Sequence, residues 1–258
     1  MKDNAKKIML LSYEPANLKP LSLTYEHLKL FLPHLTGSGL RSLIVALKRT
    51  GYLEVERVVD VTSIRLTNRG RQEVESNFPF LLNQASGSGG PSTVSSVDAE
   101  IPWATLIFLQ SPPGDLQFRY LRSLLVKYRA INLARGVYIY PFHFPSAVID
   151  ECSSRYSDAV VIGHLQKWLI GDDRQIAINH FHILDLIQSY SGISRDIDRL
   201  IERKKLFREL NNQEKKLLSS LFNRWYSNIQ EDYGLIPFYF PHVNDGRVLL
   251  KRLQAVLK

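Results

Sequence analysis

Residues 36–70 read TGSGLRSLIVALKRTGYLEVERVVDVTSIRLTNRG, and changes of pattern inside that stretch decide the fold of the first block. Leu40, Leu43, Ile44 and Leu47 recur at i, i+3, i+4 and i+7, the stripe of an amphipathic helix. Ser38 is read as its cap, because a short hydroxyl side chain accepts a backbone N–H that has no helical partner. Gly51 is read as its end. The opposite face carries Ser38, Arg41, Ser42, Val45, Lys48 and Arg49. Beyond Gly51, residues 52–58 and 61–66 are rich in β-branched side chains and are joined by the short connection Val59-Asp60, as in a hairpin. Thr67-Asn68-Arg69-Gly70 then opens a helix running to about Leu82.

On the N-terminal side, Leu28, Phe31, Leu32 and Leu35 give a second apolar stripe starting at Tyr25. Pro33 would clash with the carbonyl of Lys29, so that helix is expected to end or kink there. Thr36, Gly37 and Ser38 supply the turn. Two short helices joined by a small-residue turn and followed by a hairpin predict a winged helix-turn-helix over residues 1–83, with double-stranded DNA as partner. Ser38, Arg41, Ser42, Val45 and Lys48 would face the major groove, with Arg49 beside them. Arg57, Arg65, Arg69 and Arg71 lie around the wing, where phosphate contacts are usually made. Arg41 is the candidate for a guanine contact, since its planar fork can bond O6 and N7 together. Val45 is the candidate for a thymine methyl.

Residues 84–98, QASGSGGPSTVSSVD, have almost nothing to bury and read as a flexible linker. In 99–190, Trp103 opens the apolar run WATLIFL, a buried strand. A helix with Leu121, Leu124, Leu125 and Tyr128 follows, its start capped by Asp115. Short strands flank Ala134-Arg135-Gly136, and then come a helix over 146–156 and a strand over 159–165. The order β-α-β-β-α-β is the ferredoxin-like one and offers a dimerisation surface, so a homodimer is expected. Residues 191–258 read as a helical block. One long helix is marked by Ile193, Ile197, Leu200, Ile201 and Leu210, with cations from Arg199 to Arg208. A capping box, Asn211 with Glu214, starts the next. Tyr233-Gly234-Leu235-Ile236-Pro237-Phe238-Tyr239-Phe240-Pro241 is expected to form no regular helix, and Val248, Leu249, Leu253 and Leu257 mark a last amphipathic one.

The fold class is therefore α+β, in three blocks. Its 258 residues carry a formal charge of +8. Lys and Arg number 12 against 8 acidic residues over 1–83, 8 against 9 over 84–190, and 13 against 8 over 191–258. The excess sits at the two ends, which points there to a polyanionic partner. A lone cysteine, Cys152, excludes a disulfide framework. No apolar run is long enough for a membrane span and no signal-peptide pattern follows Met1, so a soluble cytoplasmic protein is expected. No phosphate loop, nucleophile elbow or paired-carboxylate motif appears. No enzymatic activity, cofactor or metal is expected. His180 and His182, with Asp185 nearby, would share a face if that segment were a strand, but they lack a clear third ligand. Gln110, at the end of the first central strand, is a neutral amide that supplies no charge to a hard cation.

The whole resembles the PaaX-type family, the phenylacetic acid degradation repressors of bacteria. The resemblance rests on Ser38-Gly39-Leu40-Arg41, Leu47, Gly51-Tyr52-Leu53 and Leu66-Thr67-Asn68-Arg69-Gly70 in the first block. It continues through Trp103 and Gly136-Val137-Tyr138-Ile139-Tyr140-Pro141 to Leu235-Ile236-Pro237 with Phe240-Pro241. Ala46 stands where that family usually has a second arginine. The resemblance implies a dimeric repressor that binds a palindromic operator and is released by an aryl-acyl-CoA, for whose phosphates Arg203 and Lys204 are the candidate partners. The alternatives are a scaffold or metal-dependent nuclease similar to the small CRISPR-associated ferredoxin-like proteins, and an interaction adaptor.

Overall fold

A computed structural model describes residues 2–15, 21–58, 61–78, 81, 103–109, 116–165, 168–207 and 209–257. The linker at 84–98, the connection Val59-Asp60, and residues Gln110, Asp115 and Arg208 lie outside the described residues. The described chain is α+β, with antiparallel sheets. It forms two compact units.

The first unit joins the two ends of the chain, up to Leu81 and from Ile183 onward. The sequence reading had placed these ends in separate blocks divided at 190/191. Helix α1 (Asp3–Leu11) lies ahead of Tyr25, where the sequence offers only a shortened helix. Its residues Ile8, Met9, Leu10 and Leu11 are all fully buried, and a last turn buried on every side carries no amphipathic period to read. Helix α2 (Tyr25–Phe31) starts at a capping box of Thr24 with His27 and stops ahead of Pro33. Helix α3 (Gly37–Arg49) buries Leu40, Ile44 and Leu47. Its cap is Thr36, whose Oγ1 accepts the Gly39 N–H at 3.1 Å, and not Ser38. Ser38 stands inside the first turn, its hydroxyl 3.2 Å from that of Thr36. Gly51 then takes φ +76°, the left-handed conformation that ends a helix without Cβ strain.

Strands β1 (Leu53–Val58) and β2 (Val61–Leu66) pair antiparallel, Leu53 opposite Leu66 and Arg57 opposite Thr62. Leu23 adds a bridge to Ile64. Helix α4 (Asn68–Asn77) is shorter than expected. Its start explains the Leu-Thr-x-x-Gly pattern. Thr67 Oγ1 accepts the Gly70 N–H at 3.0 Å and donates to the Gly51 carbonyl at 2.7 Å. A Cβ at Gly70 would lie 2.2 Å from the Tyr52 carbonyl oxygen, so only glycine allows the helix to start this close to the hairpin.

The second unit runs from Trp103 to His182. It contains β3 (Trp103–Phe108), α5 (Arg119–Lys127), β4 (Ile131–Ala134), β5 (Val137–Pro141), α6 (Ser146–Arg155), β6 (Val160–Leu165) and α7 (Asp173–Phe181). The sheet order is β4-β5-β3-β6, antiparallel throughout. Ala104, Leu106 and Phe108 alternate with the more exposed Thr105 and Ile107, so one face is more deeply buried. Trp103 is fully buried, donates Nε1 to Asp173 at 3.0 Å and lies 6.4 Å from the ring of Phe181. His180 lies in α7 and His182 takes φ +48° at its C-cap, so the two share no strand face.

Returning to the first unit, α8 (Ile183–Phe207) and α9 (Asn212–Ile229) follow, and Leu210 lies beyond α8. The capping box at Asn211 and Glu214 is present. Residues 233–241 contain one helical turn, α10 (Ile236–Tyr239), where no regular helix was expected. Pro237 sits in its first turn, where the missing N–H has no helical partner to lose. Helix α11 (Gly246–Ala255) closes the chain.

These late helices complete the early ones. Ser219 Oγ in α9 donates to the Phe31 carbonyl at 3.0 Å, and Gln254 Nε2 in α11 donates to the carbonyls of Leu11 and Tyr13 at 3.0 and 2.9 Å. Carbonyls at the C-terminal ends of α1 and α2 lack helical partners, and buried ones left bare would be costly. Phe31 and Phe222 meet edge to face at 5.2 Å, both fully buried.

Candidate nucleic-acid interface

Helix α3 divides its residues cleanly. Leu40, Ile44 and Leu47 are buried, while Ser38, Arg41, Ser42, Val45, Lys48 and Arg49 are exposed, Val45 at 62%. An isolated exposed valine flanked by hydroxyl and cationic side chains contributes nothing to the core. Among the described residues Arg41, Lys48 and Arg49 have no ion-pair partner, so their charges are directed outward. Lys48 and Arg49 also lie in the last turn, where the helix dipole favours cations. Arg41, nearer the start, has no such stabilisation.

The arginines of the hairpin and of α4 differ among themselves. Arg57 and Arg69 are exposed. The Arg69 guanidinium lies 5.2 Å from the ring centre of Tyr52, which orients it without neutralising it. Arg65 is half-buried and pairs diagonally across the strands with Glu56 at 3.5 Å. Arg71 donates to the Glu14 carbonyl at 3.1 Å and to Asn68, so it ties α4 to the segment after α1.

The cations considered for an effector carry internal partners. Arg203 pairs with Glu214 at 3.2 Å, and Lys204 donates to the Val256 carbonyl at 2.7 Å. Burial and the nearby charge of Lys204 hold the His27 imidazole below its ordinary value.

Residues to which the sequence assigned no site form two further features of this unit. A cavity of about 270 Å³ opens between the segment after α1 and the face of α11, and is lined in part by Tyr13, Glu14, Asp245, Arg247, Val248 and Lys251. Behind it lies a buried polar cluster. Tyr190 donates to Asp232 Oδ2 at 2.8 Å, the Gly234 N–H donates to Oδ1 at 2.8 Å, and Trp225 Nε1 donates to the Gly246 carbonyl at 2.8 Å. Burial pushes the Asp232 carboxyl up to about 6. In the second unit, burial pushes the Cys152 thiol up to about 11, as befits a packed and unreactive side chain.

Among the described residues no three His, Cys, Asp or Glu side chains are grouped to hold a metal ion, and no helix is long and apolar enough to cross a membrane. No family model matches the chain. No curated protein matches it. Among solved structures, the uncharacterized protein Rv0674 from Mycobacterium tuberculosis is similar over 98% of this chain and 99% of its own, at 15% identity and a TM-score of 0.40.

Proposed function

We propose that this protein is a sequence-specific DNA-binding transcriptional regulator, a dimeric repressor of the PaaX type, in which residues up to 81 act as a winged helix and residues 103–165 as a ferredoxin-like domain. The observation that carries the reading is the exposed face of α3. Ser38, Arg41, Ser42, Val45, Lys48 and Arg49 project together from a helix whose other face is anchored by Leu40, Ile44 and Leu47. That mixture of one bidentate donor, small hydroxyls, one methyl-bearing side chain and terminal cations suits a major groove. The hairpin next to it supplies Arg57, and the first turn of α4 supplies Arg69, for backbone phosphates. The antiparallel order β4-β5-β3-β6 with two crossing helices supports the ferredoxin-like reading, and a two-fold symmetric dimer would call for an operator of two half-sites.

Selection from a random DNA pool should return a palindrome. Arg41→Ala should weaken binding to it by about 1–3 kcal/mol and relax the preference at one base pair per half-site, whereas Lys48→Ala should weaken all sequences alike and make the salt dependence shallower. Unchanged affinity and preference in Arg41→Ala, read by gel shift, would remove α3 as the reading helix. The aryl-acyl-CoA effector is tested by calorimetry with phenylacetyl-CoA. With Arg203 and Lys204 held internally, their substitution should change stability more than any such affinity.

A further inference from the structure

The cavity beside α11 has a composition that the DNA reading does not use. Part of its wall is held by internal hydrogen bonds. Gln254 holds the Leu11 and Tyr13 carbonyls. Asp245 caps α11 by accepting the N–H groups of Arg247 and Val248, at 3.0 and 2.9 Å, and grips the Arg247 guanidinium at 2.8 and 2.7 Å. Asp245 and Arg247 therefore answer one another. Two charged lining residues are left over, Glu14 from the segment after α1 and Lys251 from α11. They are opposite in sign, and among the described residues neither has an ion-pair partner. Pro15, Leu81 and Val248 give the same cavity apolar wall.

We propose that this cavity binds a small zwitterion with an apolar body, of the class of the free hydrophobic α-amino acids. An anion would meet Lys251 but also Glu14, and a cation would meet the reverse. Only a molecule carrying both charges answers both residues, while its side chain covers the apolar wall. At about 270 Å³ the space falls just under the ~300–1,000 Å³ usual for drug-sized ligands, which suits a leucine- or phenylalanine-sized guest and is too small for a whole acyl-CoA. The proposal does not depend on what α3 reads.

Calorimetry on the full-length protein without DNA tests it, so failure here leaves the DNA reading untouched. L-Phenylalanine and L-leucine are the probes. Hydrocinnamate, which lacks the amine, and phenethylamine, which lacks the carboxylate, are the comparators. We expect at least one amino acid to bind with a dissociation constant of about 1 mM or tighter and each comparator to bind at least about tenfold more weakly. Glu14→Gln and Lys251→Met should each cost about tenfold while leaving the unliganded melting temperature in place, since neither side chain carries an internal ion pair. Absence of heat with both amino acids, comparators that bind equally well, or variants that bind as the parent does would each overturn the proposal. The last result is the one that two merely solvated surface charges would give.

Discussion

Asp232 shows how much a single buried carboxyl can weigh. Burial raises its carboxyl from the ordinary 3.8 to about 6, although the Gly234 N–H and the Tyr190 hydroxyl both favour the charged form; the neighbouring Asp245 raises it further and Arg247 opposes. The folded protein therefore holds this proton more tightly than the unfolded chain. The stabilising contribution is complete below about pH 4 and is lost as pH rises through 6. At about 1.4 kcal/mol per pH unit, the loss between pH 4 and 7 is about 3 kcal/mol from this group. Asp232→Asn should flatten that part of the urea-unfolding profile, and a parent-like slope in the variant would assign the pH dependence elsewhere. Nothing local marks Asp232 in the sequence. Glu231 beside it is exposed, and the burial that raises Asp232 comes from packing against residues distant in sequence, such as Tyr190, 42 positions away.

Among the elements, features confined to a few residues could be read directly. The capping box at Asn211 and Glu214 spans three positions and is present as expected. The α3 stripe and the register of β1 with β2 likewise follow from local period and turn length. The α3 cap shows where such reading falters. Thr36 and Ser38 are two positions apart and chemically alike, and the one that accepts the third N–H is settled by which residue the chain leaves extended. Thr36 has ψ 157°, and Gly37 already belongs to the helix. Thr36→Ala should cost about 1 kcal/mol in chemical denaturation and Ser38→Ala only a few tenths; the opposite ranking would restore Ser38 as the cap. The extent of α1 and the turn α10 escaped for other reasons. The first is apolar on all sides at its end, and the second has Pro237 in the one turn where a helix tolerates it.

For the first unit as a whole, the decisive fact is that its halves share a core. Phe31, Phe222 and Trp225 are all fully buried, with Phe222 stacked on Trp225 at 5.6 Å and meeting Phe31 edge to face. Tyr226 donates to Asp3 at 2.6 Å and Lys7 reaches Asn223 at 3.1 Å. Phe222→Ala should therefore destabilise the candidate DNA-binding elements and the C-terminal helices together, by about 3–5 kcal/mol, in a single transition. Hydrogen exchange would read this as equal loss of protection in α2 and α9. Loss confined to α9 would mean that residues up to 81 fold alone.

By itself the sequence determined the exposed cationic face of α3, the hairpin after it, the order of strands and helices in the central block and the capping box of α9. Each rests on periodicity or hydrogen bonding within one element or between near neighbours. Tertiary structure alone decided that the two ends form one unit, that Gln254 and Ser219 complete helices 188 to 243 positions away, and that a cavity lined by Glu14 and Lys251 lies at their junction. The reason is physical. A buried carbonyl at a helix end must find a donor, but the chain places no local constraint on where that donor comes from, so only packing selects it.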